Sequence, residues 1–358
     1  MDEQVISLDC ALALRERGAL LVDARSPAEY AAATIPGAIN VPILDDAERA
    51  AIGTLYKQVG RQAARQRGVE IVAPKIPALL GQVAANRPSG SPAVVVFCWR
   101  GGMRSKALTQ FLELAGIPAR QLEGGHKAFR TLVCSFFEQG EWGRLLVLRG
   151  LTGVGKTGLL HRLAAEGYPV LDLEGLANHR GSAFGHLGLP AQPTQRMFEA
   201  LLWDSLRRIP PESYALAEGE SRHIGRVALP VRLYQALQTE VSLWIEAPLA
   251  TRVRNILADY PARDHLREQF VAPLRALKER CGQQAVEEML ALLEHGAWEE
   301  LVRELMLRYY DPLYRHTLPE RRIEIMIEPE SNGLPRLREA IATLLAPPPA
   351  SRPCHEAH

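Results

Sequence analysis

The sequence predicts an α/β protein with two parallel-sheet domains, the second of which carries a helical insert. Short apolar runs alternate with amphipathic stretches over roughly the first 130 residues, as in parallel sheets with helices on both faces. A second series of such runs starts at residue 144, and helical periodicity dominates residues 249–310. A chain of 358 residues can supply two full hydrophobic cores.

The composition excludes several classes of protein. With 47% hydrophobic and 23% charged residues and a formal net charge of +1, the chain has no overall attraction for nucleic acid. Any contact with RNA would therefore need local basic patches. The five cysteines are widely spaced and include no C-x-x-C pair, so neither a disulfide framework nor a zinc site is expected.

The start of the sequence lacks the charged-then-apolar pattern of a signal peptide. No apolar run reaches the roughly 18 residues that a membrane span requires. We therefore expect a cytoplasmic protein that does not enter a membrane. We also expect no zinc, haem or flavin cofactor.

The first domain begins with the short apolar run 19–25, which ends in charge and is predicted to be a strand, and with a capped helix that has Pro27 at its first position. A turn-rich segment, 35–42, leads into a second short strand, and residues 44–67 have a mostly helical pattern. Two more strands follow, each with a helix behind it. In such a fold, ligands lie at the carboxyl ends of the strands.

Cys98 follows the apolar strand 93–97 and precedes a predicted helix, so it occupies a strand-to-helix turn. Glycines let the turn curl until several N–H groups face one point, and the helix N-terminus adds partial positive charge. Such a turn favours a thiolate and a bound anion, which makes Cys98 a candidate nucleophile. The candidate anion cradle comprises Trp99, Arg100, Gly101, Gly102, Met103, Arg104 and Ser105. The alternative interpretation is a small buried hydrophobic residue at the end of a core strand.

A phosphate-binding loop opens the second predicted domain. Residues 150–157 match G-x-x-x-x-G-K-T, directly after the strand 144–149 and before an amphipathic helix. The glycines let backbone N–H groups surround phosphate oxygens, Lys156 supplies a positive charge and Thr157 can hold Mg²⁺. We therefore predict a ligand that carries phosphate. The predicted phosphate-binding residues are Gly150, Gly153, Gly155, Lys156 and Thr157.

Further candidate residues follow the next strands. Asp172 ends the predicted strand 168–173, where it could face Lys156 or a metal-bound water, or could cap a helix. A long glycine-punctuated loop after it could bind a ligand. The third strand ends where proteins with a phosphate-binding loop hold a metal or a catalytic base. The candidates in these two segments are His179, Arg180, Glu218, Glu220 and Arg222.

These patterns place the first domain at residues 1–137 and the second at 138–345, with the helical insert at about 249–310. The proline-rich end, 346–358, is expected to be disordered. The second domain is rich in arginine, which can pair with phosphate or stack on a base.

The first domain resembles rhodanese-like domains. The resemblance rests on Asp23-Ala24-Arg25, Glu29, Ile35-Pro36-Gly37-Ala38, Asn40, Pro42, the Cys98 turn and Gly124-Gly125. In that family the turn cysteine carries a persulfide, which implies that Cys98 could carry sulfur or selenium. The spacing from Cys98 to Arg104 is one residue longer than in common sulfurtransferases and equals that of rhodanese-fold phosphatases. Such phosphatases normally have histidine before the cysteine, where this chain has Phe97, and we interpret the longer loop as a pocket for an anion such as selenophosphate.

The order of motifs along nearly the whole chain resembles that of bacterial tRNA 2-selenouridine synthases. Behind the phosphate-binding loop, the segments 172–182 and 218–222 carry the resemblance. It implies that the sulfur of 2-thiouridine at the tRNA wobble position is replaced by selenium from selenophosphate. It also implies that geranyl diphosphate first alkylates this sulfur. We expect the loop 150–157 to bind the diphosphate together with Mg²⁺. Arg180 or Arg222 is expected to help.

Two other classes of enzyme stay open at this point. One is an ATP-dependent kinase or RNA-modifying ATPase with a regulatory rhodanese domain, which RNA-stimulated ATP hydrolysis would favour. The other is a rhodanese-fold cysteine phosphatase fused to a phosphate-binding-loop module. Hydrolysis of an aryl phosphate that depends on Cys98 would favour the phosphatase.

Overall fold

The computed structural model describes residues 4–260, 263–314, 319–327 and 333–346, in two compact units. One unit comprises Met1–Glu141 and Pro193–Ser205, and the other comprises Trp142–Gln192 and Leu206–His358. Each contains a five-stranded parallel sheet, which confirms the predicted α/β class. Within the described ranges, no helix is long and apolar enough to cross a membrane. Residues 347–358 of the predicted disordered tail lie outside the described residues.

The first 141 residues contain five strands and seven α-helices within the described part. In chain order they are β1 Val5–Ile6, α1 Leu8–Glu16, β2 Leu20–Asp23, α2 Pro27–Ala32, β3 Ile39–Asn40, α3 Asp46–Gln58, α4 Arg61–Val72, α5 Ile76–Asn86, β4 Val94–Phe97, α6 Met103–Leu114, β5 Ala119–Leu122 and α7 Gly125–Gln139. The strand order is β1-β5-β4-β2-β3. All four residues of β4 are fully buried, because helices cover both faces of a parallel sheet.

Two of the sequence landmarks of this unit, Asp23 and Arg25, pair with each other at the carboxyl end of β2. Asp23 Oδ2 accepts hydrogen bonds from Arg25 Nη2 at 2.6 Å and from Thr34 Oγ1 at 2.8 Å. Both members of the Asp23–Arg25 pair are almost fully buried. Buried charges of this kind are stable only when they are paired and hydrogen-bonded. These two landmarks therefore fix the loop after β2.

The predicted helix 44–67 is two helices in the structure. α3 ends at Gln58, and α4 starts at Arg61. Gly60 between them has φ +122°, a conformation that favours glycine and interrupts the helical backbone. The hydrophobic pattern continues across this break, so periodicity alone did not reveal it.

The second half of the chain alternates strands and helices around the phosphate-binding loop. In chain order the elements are β6 Arg144–Gly150, α8 Lys156–Ala165, β7 Val170–Leu171, α9 Leu173–Ala177, α10 Gln195–Leu206, β8 Tyr214–Glu218, β9 His223–Ile224, β10 Val227–Ala228, α11 Val231–Thr239, β11 Ser242–Glu246, α12 Leu249–Asp259, α13 Arg267–Ala276, α14 Lys278–Cys281, α15 Gln283–Glu294, α16 Trp298–Leu305, α17 Asp311–Tyr314, β12 Arg322–Met326 and α18 Leu334–Leu345. The sheet order is β12-β11-β6-β8-β7, and β9 and β10 form a separate antiparallel hairpin. Helices α12 to α17 form the predicted insert between β11 and β12.

Candidate active sites

Cys98 lies directly after β4, where the chain turns into α6. Cys98 is only 3% exposed, but polar groups lie close to its sulfur. The backbone N–H of Gly102 donates to Cys98 Sγ at 3.2 Å, and Ser105 Oγ lies 3.2 Å from the same atom. Gln121 Nε2 donates to Ser105 Oγ at 3.0 Å, so the serine proton is directed at Cys98 Sγ or at the Gly102 carbonyl. The thiol is therefore buried among hydrogen-bond donors, as an anionic sulfur requires.

Two glycines hold the Cys98 turn tightly against the start of α7. Gly101 has φ +66°, and Gly125 has φ +57°. A Cβ atom on Gly125 would lie 2.2 Å from the carbonyl oxygen of Cys98 and 2.6 Å from the Gly101 nitrogen. Only glycine fits there, since both atoms belong to the backbone. The sequence analysis identified Gly124-Gly125 as a landmark of the rhodanese resemblance, but not as a support of the cysteine turn.

The charged members of the predicted cradle have different surroundings. Arg104 Nη1 donates to Glu29 Oε2 at 2.5 Å, in a half-buried ion pair. Burial opposes the ionisation of Glu29, but the hydrogen bond and charge of Arg104 outweigh it and lower the Glu29 pKa. Arg100 and Met103 are exposed at the mouth of the turn, and Trp99 is half-buried. The positive charge of Arg104 is thus partly neutralised by a carboxylate that the sequence did not pair with it.

His126 is a buried group beside this turn that sequence reasoning did not select. Its ring lies between those of Trp99 and Phe129, at centroid distances of 5.7 Å and 6.0 Å. Its Nδ1 atom has no hydrogen-bond partner among the described residues. Burial, together with the charges of Arg25 and Arg130, lowers the His126 pKa to about 3. The imidazole is therefore neutral at physiological pH.

Folding stability should fall on acidification because His126 must stay neutral in the folded protein. Its contribution is complete above the unfolded-state pKa of 6.5 and is lost as the pH falls towards about 3. Between pH 7 and 5 this amounts to about 2 kcal/mol, at roughly 1.4 kcal/mol per pH unit. Between pH 7 and 5, the free energy of unfolding of His126→Phe, measured by chemical denaturation, should therefore fall by about 2 kcal/mol less than that of the parent protein. The exposed His295→Gln is the control, and an unchanged pH dependence in His126→Phe would contradict the prediction.

The phosphate-binding loop joins β6 to α8 in the second unit. Gly150, Gly153 and Gly155 all have positive φ, and Cβ atoms on the first two would lie 2.3 Å and 2.7 Å from backbone oxygens. Arg252 Nε donates to the Thr152 carbonyl, and Asn255 Nδ2 donates to the Gly153 carbonyl, each at 2.8 Å. Because α12 thus binds the carbonyl groups of the loop, the N–H groups remain to face an anion.

Three glutamates lie at the edge of the sheet beside this loop. Thr157 Oγ1 donates to Glu174 Oε2 at 2.9 Å, and the Leu173 N–H donates to Glu218 Oε2 at 2.9 Å. Burial raises the pKa of Glu174 and Glu218, and it raises that of Glu220, which is hydrogen-bonded to Glu174, to about 7. Glu218 Oε1 has no partner among the described residues. Burial and mutual repulsion therefore disfavour the charged forms of these three carboxyl groups.

The remaining predicted residues are not all brought to the phosphate-binding loop. Asp172 caps α9, since its Oδ1 accepts from the Gly175 N–H at 2.7 Å, and its Oδ2 lies 2.7 Å from His161 Nε2. His179 is buried, and burial lowers its pKa. Arg222 is exposed and does not line the cavity described next, because the chain turns into the hairpin directly after Ser221.

A cavity of about 880 Å³ extends from the phosphate-binding loop into the helical insert. Its polar end is formed by the loop, Glu174, Glu220 and Arg180, whose guanidinium lies over the Tyr260 ring at 4.5 Å. The rest of its wall is apolar and aromatic, and in it Ile256 and Met306 lie next to Gly153 of the loop. That wall includes Phe184, Ile256, Leu257, Phe270, Trp298, Leu301, Leu305, Met306, Tyr309 and Tyr310. The sequence predicted the polar end, but no motif marked the apolar wall.

Comparisons with known proteins agree with both halves of this description. Residues 7–132 match the rhodanese-like domain family, and residues 143–339 match the family of tRNA 2-selenouridine synthase AAA domains. A Nitrosomonas europaea protein described as tRNA 2-selenouridine synthase is 34% identical, over 89% of this chain and 94% of its own. Proteins of the same description from Chromohalobacter salexigens and Bdellovibrio bacteriovorus are 36% and 33% identical, over 86% of this chain and 90% and 91% of theirs. These matches confirm the predicted resemblance.

Proposed function

The chain belongs to the tRNA 2-selenouridine synthase family, and we propose that it replaces the sulfur of 2-thiouridine at the tRNA wobble position by selenium in two steps. It is a tRNA-modifying transferase. In the first step, geranyl diphosphate alkylates the sulfur. In the second, the selenium of selenophosphate attacks carbon 2 of the base, and the carbon–sulfur bond breaks so that geranylthiol leaves. The Cys98 thiolate then takes the phosphoryl group from selenium, which frees 2-selenouridine, and water releases phosphate from the cysteine.

The first step is supported by the cavity of the second unit, which has both polar and apolar walls. A phosphate-binding loop needs only an anion, but an apolar wall next to it suits a ligand whose diphosphate bears a hydrocarbon chain. Phe270, Trp298 and Leu305 are each less than a tenth exposed, so they offer a water-poor surface to the ten-carbon geranyl group. The fit favours an isoprenoid diphosphate over a ligand that is polar throughout.

The chemistry of alkylation explains the polar groups at the other end. The sulfur attacks carbon 1 of the geranyl group, the carbon–oxygen bond breaks, and its electron pair leaves with the diphosphate. Lys156, the loop N–H groups and Arg180 would stabilise the departing negative charge. The N3 proton of the base passes to the departing diphosphate, and the former thiocarbonyl becomes a thioether whose sulfur leaves more easily.

A magnesium ion would fit at the same end of the cavity. The hydroxyl of Thr157 and the carboxylates of Glu174 and Glu220 are oxygen ligands of the kind that Mg²⁺ prefers. When bound, the ion would neutralise the charge of the diphosphate. No group of three or more acidic, histidine or cysteine side chains with the geometry of a metal site occurs among the described residues, so Thr157 and the ligand itself would complete the coordination.

The second step is assigned to the Cys98 turn. The Gly102 N–H and the Ser105 hydroxyl lie at the sulfur, so they would stabilise it in anionic form. The C-x5-R loop, one residue longer than in common sulfurtransferases, would suit a tetrahedral anion such as selenophosphate. The turn therefore suits the transfer of selenium better than a purely structural role.

The proposed function predicts distinct products for distinct substrate mixtures. Purified protein with 2-thiouridine tRNA and geranyl diphosphate should give S-geranyl-2-thiouridine, and added selenophosphate should convert it into 2-selenouridine. Mass spectrometry of the nucleosides measures both. RNA-stimulated ATP hydrolysis with unchanged nucleosides would instead support an RNA-dependent ATPase.

A further inference from the structure

A short β-hairpin follows directly after the third strand of the second sheet. β9 and β10 pair with Ile224 opposite Val227, so Gly225 and Arg226 form a two-residue turn. Gly225 has φ +59°, the conformation that such a turn requires at its first central position. The turn places Arg226 at the tip of the hairpin.

The hairpin is held firmly at its turn. The side chains of Ile224 and Val227 are buried. Gln192 Nε2 donates to the Ile224 carbonyl at 2.9 Å, and Gln192 Oε1 accepts from the Arg226 N–H at 2.8 Å. A Cβ atom on Gly225 would lie 2.2 Å from this oxygen, so only a glycine at this position lets Gln192 make both hydrogen bonds. A rigid hairpin can present charged side chains with little loss of entropy on binding.

The outer surface of the hairpin is positively charged. Arg222, His223 and Arg226 are exposed, and the segment 221–229 contains no acidic residue. Neither arginine side chain has an ion-pair partner in the part of the chain that the structure describes. By contrast, the exposed Arg338 pairs with Glu166.

The hairpin begins at the rim of the cavity. Glu220 and Ser221 line the cavity, and Arg222 is the next residue. Consecutive Cα atoms are about 3.8 Å apart, so the positive surface starts within one residue of the cavity wall. A polyanion held there would lie next to the ligand in the cavity.

We propose that this hairpin binds the phosphodiester backbone of the tRNA beside the nucleotide that is modified. The inference rests on the proposed function for the identity of the RNA. Since the chain carries a net charge of only +1, local unpaired arginines must supply the attraction for a polyanion. Guanidinium groups suit phosphate because they donate two parallel hydrogen bonds.

The test is the salt dependence of RNA binding. Fluorescence anisotropy with 2-thiouridine tRNA should show roughly tenfold weaker binding for the double variant Arg222→Ala/Arg226→Ala, and its slope against log salt should fall by about 1 per arginine removed. The variant Arg222→Lys/Arg226→Lys should keep the slope, since it keeps the charge. The paired Arg338→Ala is the matched control and should behave like the parent protein.

Other outcomes separate this inference from the proposed function. Affinity and slope that stay at the parental values in the double alanine variant, with normal thermal unfolding, would overturn the hairpin as an RNA-binding element. Equal losses in the lysine and alanine variants would overturn it too, because they would show a structural effect. If tRNA binding depends on the arginines but no nucleoside is modified, the hairpin inference stands and the proposed reaction fails.

Discussion

Replacing Cys98 with serine is expected to lower selenium incorporation by about a thousandfold or more, while S-geranyl-2-thiouridine still forms. A serine oxygen can keep the contacts that the sulfur makes with the Gly102 N–H and with Ser105, so the turn should stay folded. An alcohol is not ionised at neutral pH and is a much weaker nucleophile than a thiolate. Mass spectrometry of nucleosides after incubation with all three substrates measures the two products separately.

The matched control for this variant is Cys10→Ser. Cys10 belongs to the same unit and is exposed, so its replacement should leave both products at the level of the parent protein. Geranyl transfer should persist in Cys98→Ser because the phosphate-binding loop belongs to the other unit. If Cys98→Ser incorporates selenium at the parental rate, the thiol has no part in the transfer.

Both candidate sites could be predicted from the sequence because each depends on neighbouring residues. An apolar strand, a glycine-rich turn and an amphipathic helix follow one another at Cys98 and again at residues 150–157. That succession determines the local backbone and therefore where the N–H groups point. The α/β class followed from the same alternation.

Contacts between distant residues could not be predicted in this way. The Arg104–Glu29 pair joins residues 75 positions apart, and the hydrogen bond from Thr157 to Glu174 spans 17. The sequence marks Arg104, Glu29 and Thr157 one by one, but no local pattern shows which residue each of them contacts. The apolar cavity wall was missed for a related reason, because its residues come from several insert helices whose periodicity also fits a plain hydrophobic core.

The segment 193–205 shows what helical periodicity leaves open. Residues 194–209 have a helical pattern within the predicted second domain, 138–345, but the structure groups 193–205 with the first unit. Within that unit, Trp203 meets Phe129 edge-on at 5.1 Å, and Asp204 pairs with Arg15 at 2.6 Å. An amphipathic pattern predicts that one face is covered, but it does not identify the element that covers it.

Replacing Lys156 with alanine is expected to weaken the binding of geranyl diphosphate about 100-fold, since hydrogen bonds to charged groups contribute up to about 3 kcal/mol. Lys156 Nζ lies 3.4 Å from the Gly150 carbonyl, so it is held over the loop that should surround the phosphates. Alanine would leave the glycine backbone intact and remove only the cation. Isothermal titration calorimetry measures the dissociation constants.

The control for charge is Lys278→Ala, an exposed lysine on the short helix α14 of the insert. It should bind geranyl diphosphate as tightly as the parent protein does. Undiminished binding by Lys156→Ala would show that the loop does not grip the diphosphate. ATP that binds the parent protein without competing with geranyl diphosphate would likewise assign the loop to a nucleotide.

Titration with inorganic diphosphate distinguishes the contributions of the two ends of the cavity to affinity. If the loop binds phosphate and the insert helices bind hydrocarbon, Lys156→Ala should weaken the binding of inorganic diphosphate and of geranyl diphosphate by the same factor. The geranyl group should then add the same affinity to both proteins, because the free energy of burying it in the apolar wall does not depend on the lysine. A geranyl contribution that disappears along with Lys156 would mean that the wall forms only after the phosphate is bound.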